Sequence, residues 1–150
     1  MASTDKAIIK SIKEFIQTCP LIVDGKIRVD YLGAEPIEYS IDPIPAEKVI
    51  QSYLNGVKEC QYVFNFCSRE YYSRQDVENI ANSKFYEDFE EWLEECNKNK
   101  TLPILEGNKV ATEIRANSSG YLYNTAEGLA TAKYMIQCVL EYTEYKDKTI

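Results

Sequence analysis

Histidine is missing from all 150 residues, glycine and proline are scarce at 6 and 5, and tryptophan occurs once. Without an imidazole, Ser-His-Asp and Cys-His nucleophile systems, His-containing zinc sites and histidine acid–base catalysis are excluded. The low glycine and proline content, with 45% apolar and 27% charged residues, excludes a collagen, a low-complexity scaffold and a disordered tail. No run approaches the roughly 18 apolar residues of a membrane-spanning helix, and Met1-Ala2-Ser3-Thr4-Asp5 lacks the basic-then-apolar pattern of a secretory signal. The expectation is a soluble, non-exported chain in which the Asn117-Ser118-Ser119 glycosylation match stays unmodified. Basic residues are also in deficit, 17 against 24 acidic ones, and the formal charge of −7 repels phosphate backbones and anionic membranes. No basic patch offsets it, so neither a membrane nor sequence-specific nucleic acid is an expected partner.

What is present fits one domain spanning residues 1–150, large enough to bury about 68–70% of its unfolded surface without disulfides or metals. The cysteines, Cys19, Cys60, Cys67, Cys96 and Cys138, form an odd set without a Cys-x-x-Cys pair and sit among apolar residues. They read as buried free thiols in a reducing compartment. No Gly-rich phosphate loop or dinucleotide fingerprint occurs, since Asp24-Gly25 and Asn55-Gly56 are explained by turns, and no cofactor or metal is expected.

Ile8, Ile9, Ile12, Phe15, Ile16 and Cys19 recur at helical spacing, with Thr4 or Asp5 as the cap and Pro20 as the stop. Alternation then predicts strands around Ile27-Val29-Tyr31 and Ile37-Tyr39-Ile41, the second ended by Pro43 and Pro45. Val49 to Leu54, Asn55-Gly56 and Val57 to Tyr72 form the strongest hairpin signal, read as a type I′ turn. Its second arm is apolar on both faces, as expected of a central strand covered on both sides or covered on one side by another subunit. Ser73 and Asp76 open a helical segment whose apolar set Val77, Ile80, Ala81 is out of phase with Phe85, Tyr86, Phe89, Trp92, Leu93, Cys96. That predicts a break near Asn82-Ser83. Strands at Val110 to Ala116, Gly120 to Asn124 and Tyr134 to Tyr142 close the chain, the last two joined by a hairpin loop, Thr125 to Gly128. The fold class is α+β: a mainly antiparallel sheet with the N-terminal helix and the central helical segment on one face.

Two features carry functional weight. Glu87, Asp88, Glu90, Glu91, Glu94 and Glu95 all fall away from the apolar stripe of their helix, which favours a solvated face over an acid–base or metal site. Their like-charge i,i+4 pairs each cost about 0.2–0.5 kcal/mol, and a helix that tolerates such repulsion suits a basic partner surface. Glu91 and Glu94 are therefore candidate contact residues. Tyrosine is abundant, 12 of 150; strand propensity explains most, yet tyrosine is also enriched at interfaces. The stretch Ser68-Arg69-Glu70-Tyr71-Tyr72-Ser73 joins a central strand to a helix, so Arg69, Glu70, Tyr71 and Tyr72, with Tyr121 and Tyr123, complete the candidate protein interface.

The chain also resembles a family. Thr18-Cys19-Pro20-Leu21, Ile27-Arg28-Val29-Asp30-Tyr31-Leu32, Tyr39-Ser40-Ile41-Asp42-Pro43-Ile44-Pro45, Phe66 to Ser73, Phe85 to Leu93 and Tyr134-Met135-Ile136-Gln137-Cys138 are similar, in order and spacing, to the small minor capsid or tail-terminator proteins of prophages from Gram-positive bacteria. The resemblance implies the fold of the lambda-like tail terminator and a structural, non-enzymatic role without a cofactor. It further implies a hexameric ring of self-contacts that caps the tail tube and joins it to the head, with the tail-tube protein and a head-completion or connector protein as partners. The implied location is the virion's head–tail junction, after assembly in the host cytoplasm. Two other readings stand beside it. An acidic module of the immunity or antitoxin kind would neutralise a basic partner through residues 87–95, and an enzyme would need Lys, Tyr and carboxylates to converge in a pocket.

Overall fold

The computed structural model describes residues 7–22, 27–30, 32, 38–71, 76–125 and 131–146. The first amphipathic repeat forms α1 (Ile8–Ile16), which buries Ile12, Phe15 and Ile16. Ala7, in extended conformation and without a side-chain cap bond, marks its start; Thr4 and Asp5, the expected caps, lie outside the described residues. The Thr18 hydroxyl donates to the Phe15 carbonyl at 2.6 Å as the chain leaves the helix ahead of Pro20.

The alternating segments form β1 (Ile27–Val29), β2 (Glu38–Pro43), β3 (Val49–Ser52), β4 (Lys58–Tyr71), β5 (Lys109–Ala116), β6 (Tyr121–Thr125) and β7 (Thr131–Glu144) of one sheet. β4 and β7 are 14 residues each and pair antiparallel along their whole length, from Lys58 opposite Glu144 to Tyr71 opposite Thr131. Each long strand carries two short strands end to end on its outer side: β2 and β3 along β4, β5 and β6 along β7. β1 extends β2 in parallel, against the antiparallel trend of the rest. Tyr31 and Ser73 and most of the expected 125–128 loop lie outside the described residues.

Two local expectations are corrected. Asn55-Gly56 does turn β3 into β4, but a type I′ turn needs positive φ at both central residues. Here only Gly56 is left-handed, at +90°, while Tyr53 N–H donates to Val57 at 2.9 Å and Gly56 N–H to Tyr53 at 3.0 Å. The connection is the three-residue loop Leu54-Asn55-Gly56, with glycine where a Cβ would be strained and Asn55 Oδ1 accepting from Val57 N–H at 3.1 Å. The expected break at Asn82-Ser83 is absent as well: α2 runs unbroken from Asp76 to Asn99. Ile80 and Ala81 face solvent, so the early apolar set is no core stripe, and Asn82 turns inward to donate to the Tyr71 carbonyl at 2.7 Å. The helix closes in a Schellman motif, with Lys100 left-handed at φ +60° and Thr101 N–H donating to Cys96 at 2.9 Å.

Both helices lie on one face, as expected. Phe64 and Phe66 of β4 and Ile136, Leu140 and Tyr142 of β7 meet Ile12, Phe15 and Ile16 of α1 and Tyr86, Phe89 and Leu93 of α2 in a single core. Phe66 is its centre, stacked on Phe89 at 4.6 Å between ring centroids and flanked by Tyr39 at 5.7 Å and Tyr86 at 6.2 Å. Such ring pairs add about 0.5–1.5 kcal/mol each beyond their buried area. All five cysteines are buried and free. On the opposite face Val63, Cys67, Met135 and Val139 are buried as well, although no helix among the described residues lies over them.

Candidate functional site

Strand alternation sorts the expected contact residues. Arg69 and Tyr71 lie two apart on β4 and point away from the helices, whereas Glu70 between them points toward the core. Arg69 stands opposite Glu38 of β2 on one side and Lys133 of β7 on the other. The Lys133 ammonium lies 5.0 Å from the centroid of the Tyr123 ring on β6, a cation–π contact. Tyr121 stands opposite Met135, and Tyr71, Tyr121 and Tyr123 are 54%, 47% and 55% exposed. Four of the expected residues, Arg69, Tyr71, Tyr121 and Tyr123, thus occupy one corner of the helix-free face. Lys133 joins them unforeseen, because its contact with Tyr123 depends on strand register. Tyr72 lies outside the described residues.

Glu70 is a correction. It is 8% exposed and lies on the helix-facing side near Tyr86 and Tyr39, so it is not an outward contact residue. Burial pushes its carboxyl above the ordinary value, an effect partly offset by the Ser68 hydroxyl, and its Oε2 has no hydrogen-bond partner. The Ser68 and Tyr86 hydroxyls share a 2.6 Å hydrogen bond, and Tyr86 also donates to the Tyr134 carbonyl at 3.3 Å. This buried polar knot ties α2 to both long strands.

Glu87, Glu91, Glu94 and Glu95 are exposed along α2. Glu91 and Glu94 therefore point outward, yet well away from the tyrosine corner. Glu90 departs from the expectation that the whole acidic set is solvated. It is half-buried, burial and the charges of Glu94 and Glu87 raise its pKa, and it lines an open cleft of about 340 Å³ with Leu93, Glu94, Arg115 and Ser118. The Arg115 guanidinium is paired with Glu141 and, at 3.6 Å, with Glu113. Beneath the cleft Asn97 holds the outer edge of β5, donating to the Ile114 carbonyl and accepting from the Ile114 N–H at 2.9 Å. Sequence reading missed this clamp, because nothing in the spacing of Asn97 marks it as a strand partner.

On the helix-free face the Cys67 thiol donates to Asp42 Oδ2 at 3.5 Å, and burial together with the Asp42 charge pushes it up to about 12. It stays protonated and unreactive at neutral pH. Among the described residues no group of three or more Cys, Asp or Glu side chains converges on a possible metal position. No helix among them is long and apolar enough to cross a membrane. No protein-family model matches the chain, and no curated protein matches it.

Proposed function

We propose that this chain is a structural assembly protein of the tail-terminator kind: a subunit that associates with copies of itself in a ring, caps a phage tail tube and joins it to the head. The observation that carries the reading is the one-sided build of the domain. Both helices are spent on one face of the sheet, while the other face ends in a corner of three half-exposed tyrosines beside Arg69 and Lys133. Tyrosine gives large contact area at low entropic cost, and tyrosine and arginine are enriched among the residues that dominate interface energetics. The resemblance in residue order supplies the identity of the partners, the tail-tube protein and a head-completion protein, and the α+β architecture is compatible with it.

The exposed carboxylates of α2 favour a second reading, in which Glu91 and Glu94 engage a basic protein one to one. Electron microscopy of the purified full chain, alone and mixed with tail tubes assembled from purified tube protein, separates the two. Rings, and single rings seated at tube ends, are the expected result. A chain that leaves tube ends bare and forms no oligomer overturns the tail-terminator reading.

A further inference from the structure

We propose that neighbouring copies join head to tail by edge pairing, β3 of one copy against β6 of the next, so that one continuous sheet runs through the assembly. The inference rests on the ring reading above and names its interface.

Edge strands expose unpaired backbone groups, and folded proteins normally shorten or cover them. β1 is only three residues long, and the β5 edge is held at Ile114 by Asn97. Among the described residues β3 and β6 each pair on one side only. They also carry the two runs of large exposed apolar side chains: Ile50, Tyr53 and Leu54 on β3 and its turn, Tyr121, Leu122 and Tyr123 on β6. Elsewhere among the described residues such side chains stand singly along the chain. Runs of this kind on open edges are aggregation hazards unless they are used.

Topology identifies a second copy as the occupant. β3 flanks β4 and β6 flanks β7, so their free edges face opposite ways across the sheet. β3 pairs near Lys58–Cys60 and β6 near Ala132–Met135, which are about 30 Å apart along the strands. β4 and β7 are antiparallel, and each short strand is antiparallel to its long neighbour, so β3 and β6 run in opposite directions. A copy in the same orientation, shifted by that distance along the strands, therefore brings its β6 antiparallel to β3, the stronger ladder, with its helices on the same side of the sheet. Two different complementary edges make a heterologous contact, which forms a ring where the rotation between successive copies closes and an open filament where it does not.

The area sets the strength of one contact. Each edge leaves about 300–400 Å² of apolar side chain open, from three residues of about 200 Å² at their observed exposures. Together they can bury at most about 600–800 Å², half of the roughly 1,600 Å² typical of a stable complex. An isolated dimer is therefore weak. A closed ring, in which every copy makes two contacts, is favoured over open chains by its added closing contact.

The test uses two full-length variants, Ile50→Lys and Leu122→Lys, each placing a charge on one edge at an exposed position. Native mass spectrometry and negative-stain microscopy read the assembly, and circular dichroism checks folding. Tyr53→Lys and Tyr123→Lys replace either variant if it misfolds. Where the wild-type chain forms rings, each variant alone should lose at least about tenfold of its ring population, since every contact then contains one charged edge. An equimolar mixture should stop at dimers, because one intact β3 meets one intact β6. Rings that persist in either variant overturn the edge pairing and leave the ring reading standing. A wild-type chain that forms no oligomer, with or without tail tubes, overturns the ring reading and this inference with it.

Discussion

Gly120 lies immediately before β6, and its backbone presses directly on a buried ring. A Cβ added there would stand 2.4 Å from both Cβ and Cγ of Tyr86 and 2.7 Å from its Cδ1. Ordinary carbon contacts lie at about 3.5–4.0 Å, so one partner must retreat by about 1 Å. Tyr86 cannot do so cheaply, because its ring is buried against Phe66 and its hydroxyl is held by Ser68 at 2.6 Å. Overpacking of this kind costs about 1–3 kcal/mol. For a domain of this size each kcal/mol moves the melting temperature by about 2–4 °C, so Gly120→Ala should melt about 2–12 °C below the wild type. Thermal and urea unfolding followed by circular dichroism measure it, with Ser119→Ala, at an exposed neighbour, as the control. If Gly120→Ala falls within about 0.5 kcal/mol of the wild type, the close approach of the Gly120 backbone to the Tyr86 ring is wrong.

Other outcomes follow from single residues. Lys100 holds the left-handed C-terminal position of α2, so Lys100→Gly should stabilise the chain by about 0.5–1 kcal/mol in urea unfolding, the left-handed strain relieved less glycine's added entropy loss. A loss of stability there would contradict the Schellman closure. Glu70 has its carboxyl pKa raised by burial above the ordinary 4.5, so the folded state binds its proton more tightly than the unfolded chain. The contribution of Glu70 is therefore most favourable below 4.5 and declines as pH rises through the folded pKa. Glu70→Gln should remove that decline and leave the variant relatively more stable at neutral pH. Parallel pH–stability curves for the two proteins would refute it.

The sequence periods were a good guide wherever one period held over many residues. Phe64, Phe66, Ile136, Leu140 and Tyr142 alternate cleanly, and the two long strands appear where alternation puts them. Tyr86, Phe89, Leu93 and Cys96 keep helical spacing and form the buried stripe of α2. Reading failed where an apolar residue stands in solvent or a polar one is buried. Ile80, 65% exposed, mimicked a second helix phase, and Glu70 looked like a surface residue because its burial depends on Tyr86, far along the chain. The Asn55-Gly56 dipeptide fixes that the chain turns, while the loop length is decided by the pairing of Ser52 with Lys58. The exposed tyrosines Tyr71, Tyr121 and Tyr123 were legible from composition. Lys133 was not, since its contact with Tyr123 depends on strand register.

The sign of the salt effect separates the two functional readings, because they place charge differently. The proposed interface joins apolar side chains and backbone groups on β3 and β6, whereas every copy carries a net charge of −7. Like-charged subunits repel beyond the contact, and the screening length shortens from about 30 Å at 0.01 M salt to about 10 Å at 0.1 M. Added salt should therefore promote self-assembly without weakening the ladder itself. Binding of a basic partner by Glu91 and Glu94 behaves in the opposite way, since screening removes the attraction that steers and holds it. An assembly that dissolves on raising salt places the working surface on α2, and one that grows places it on the sheet edges.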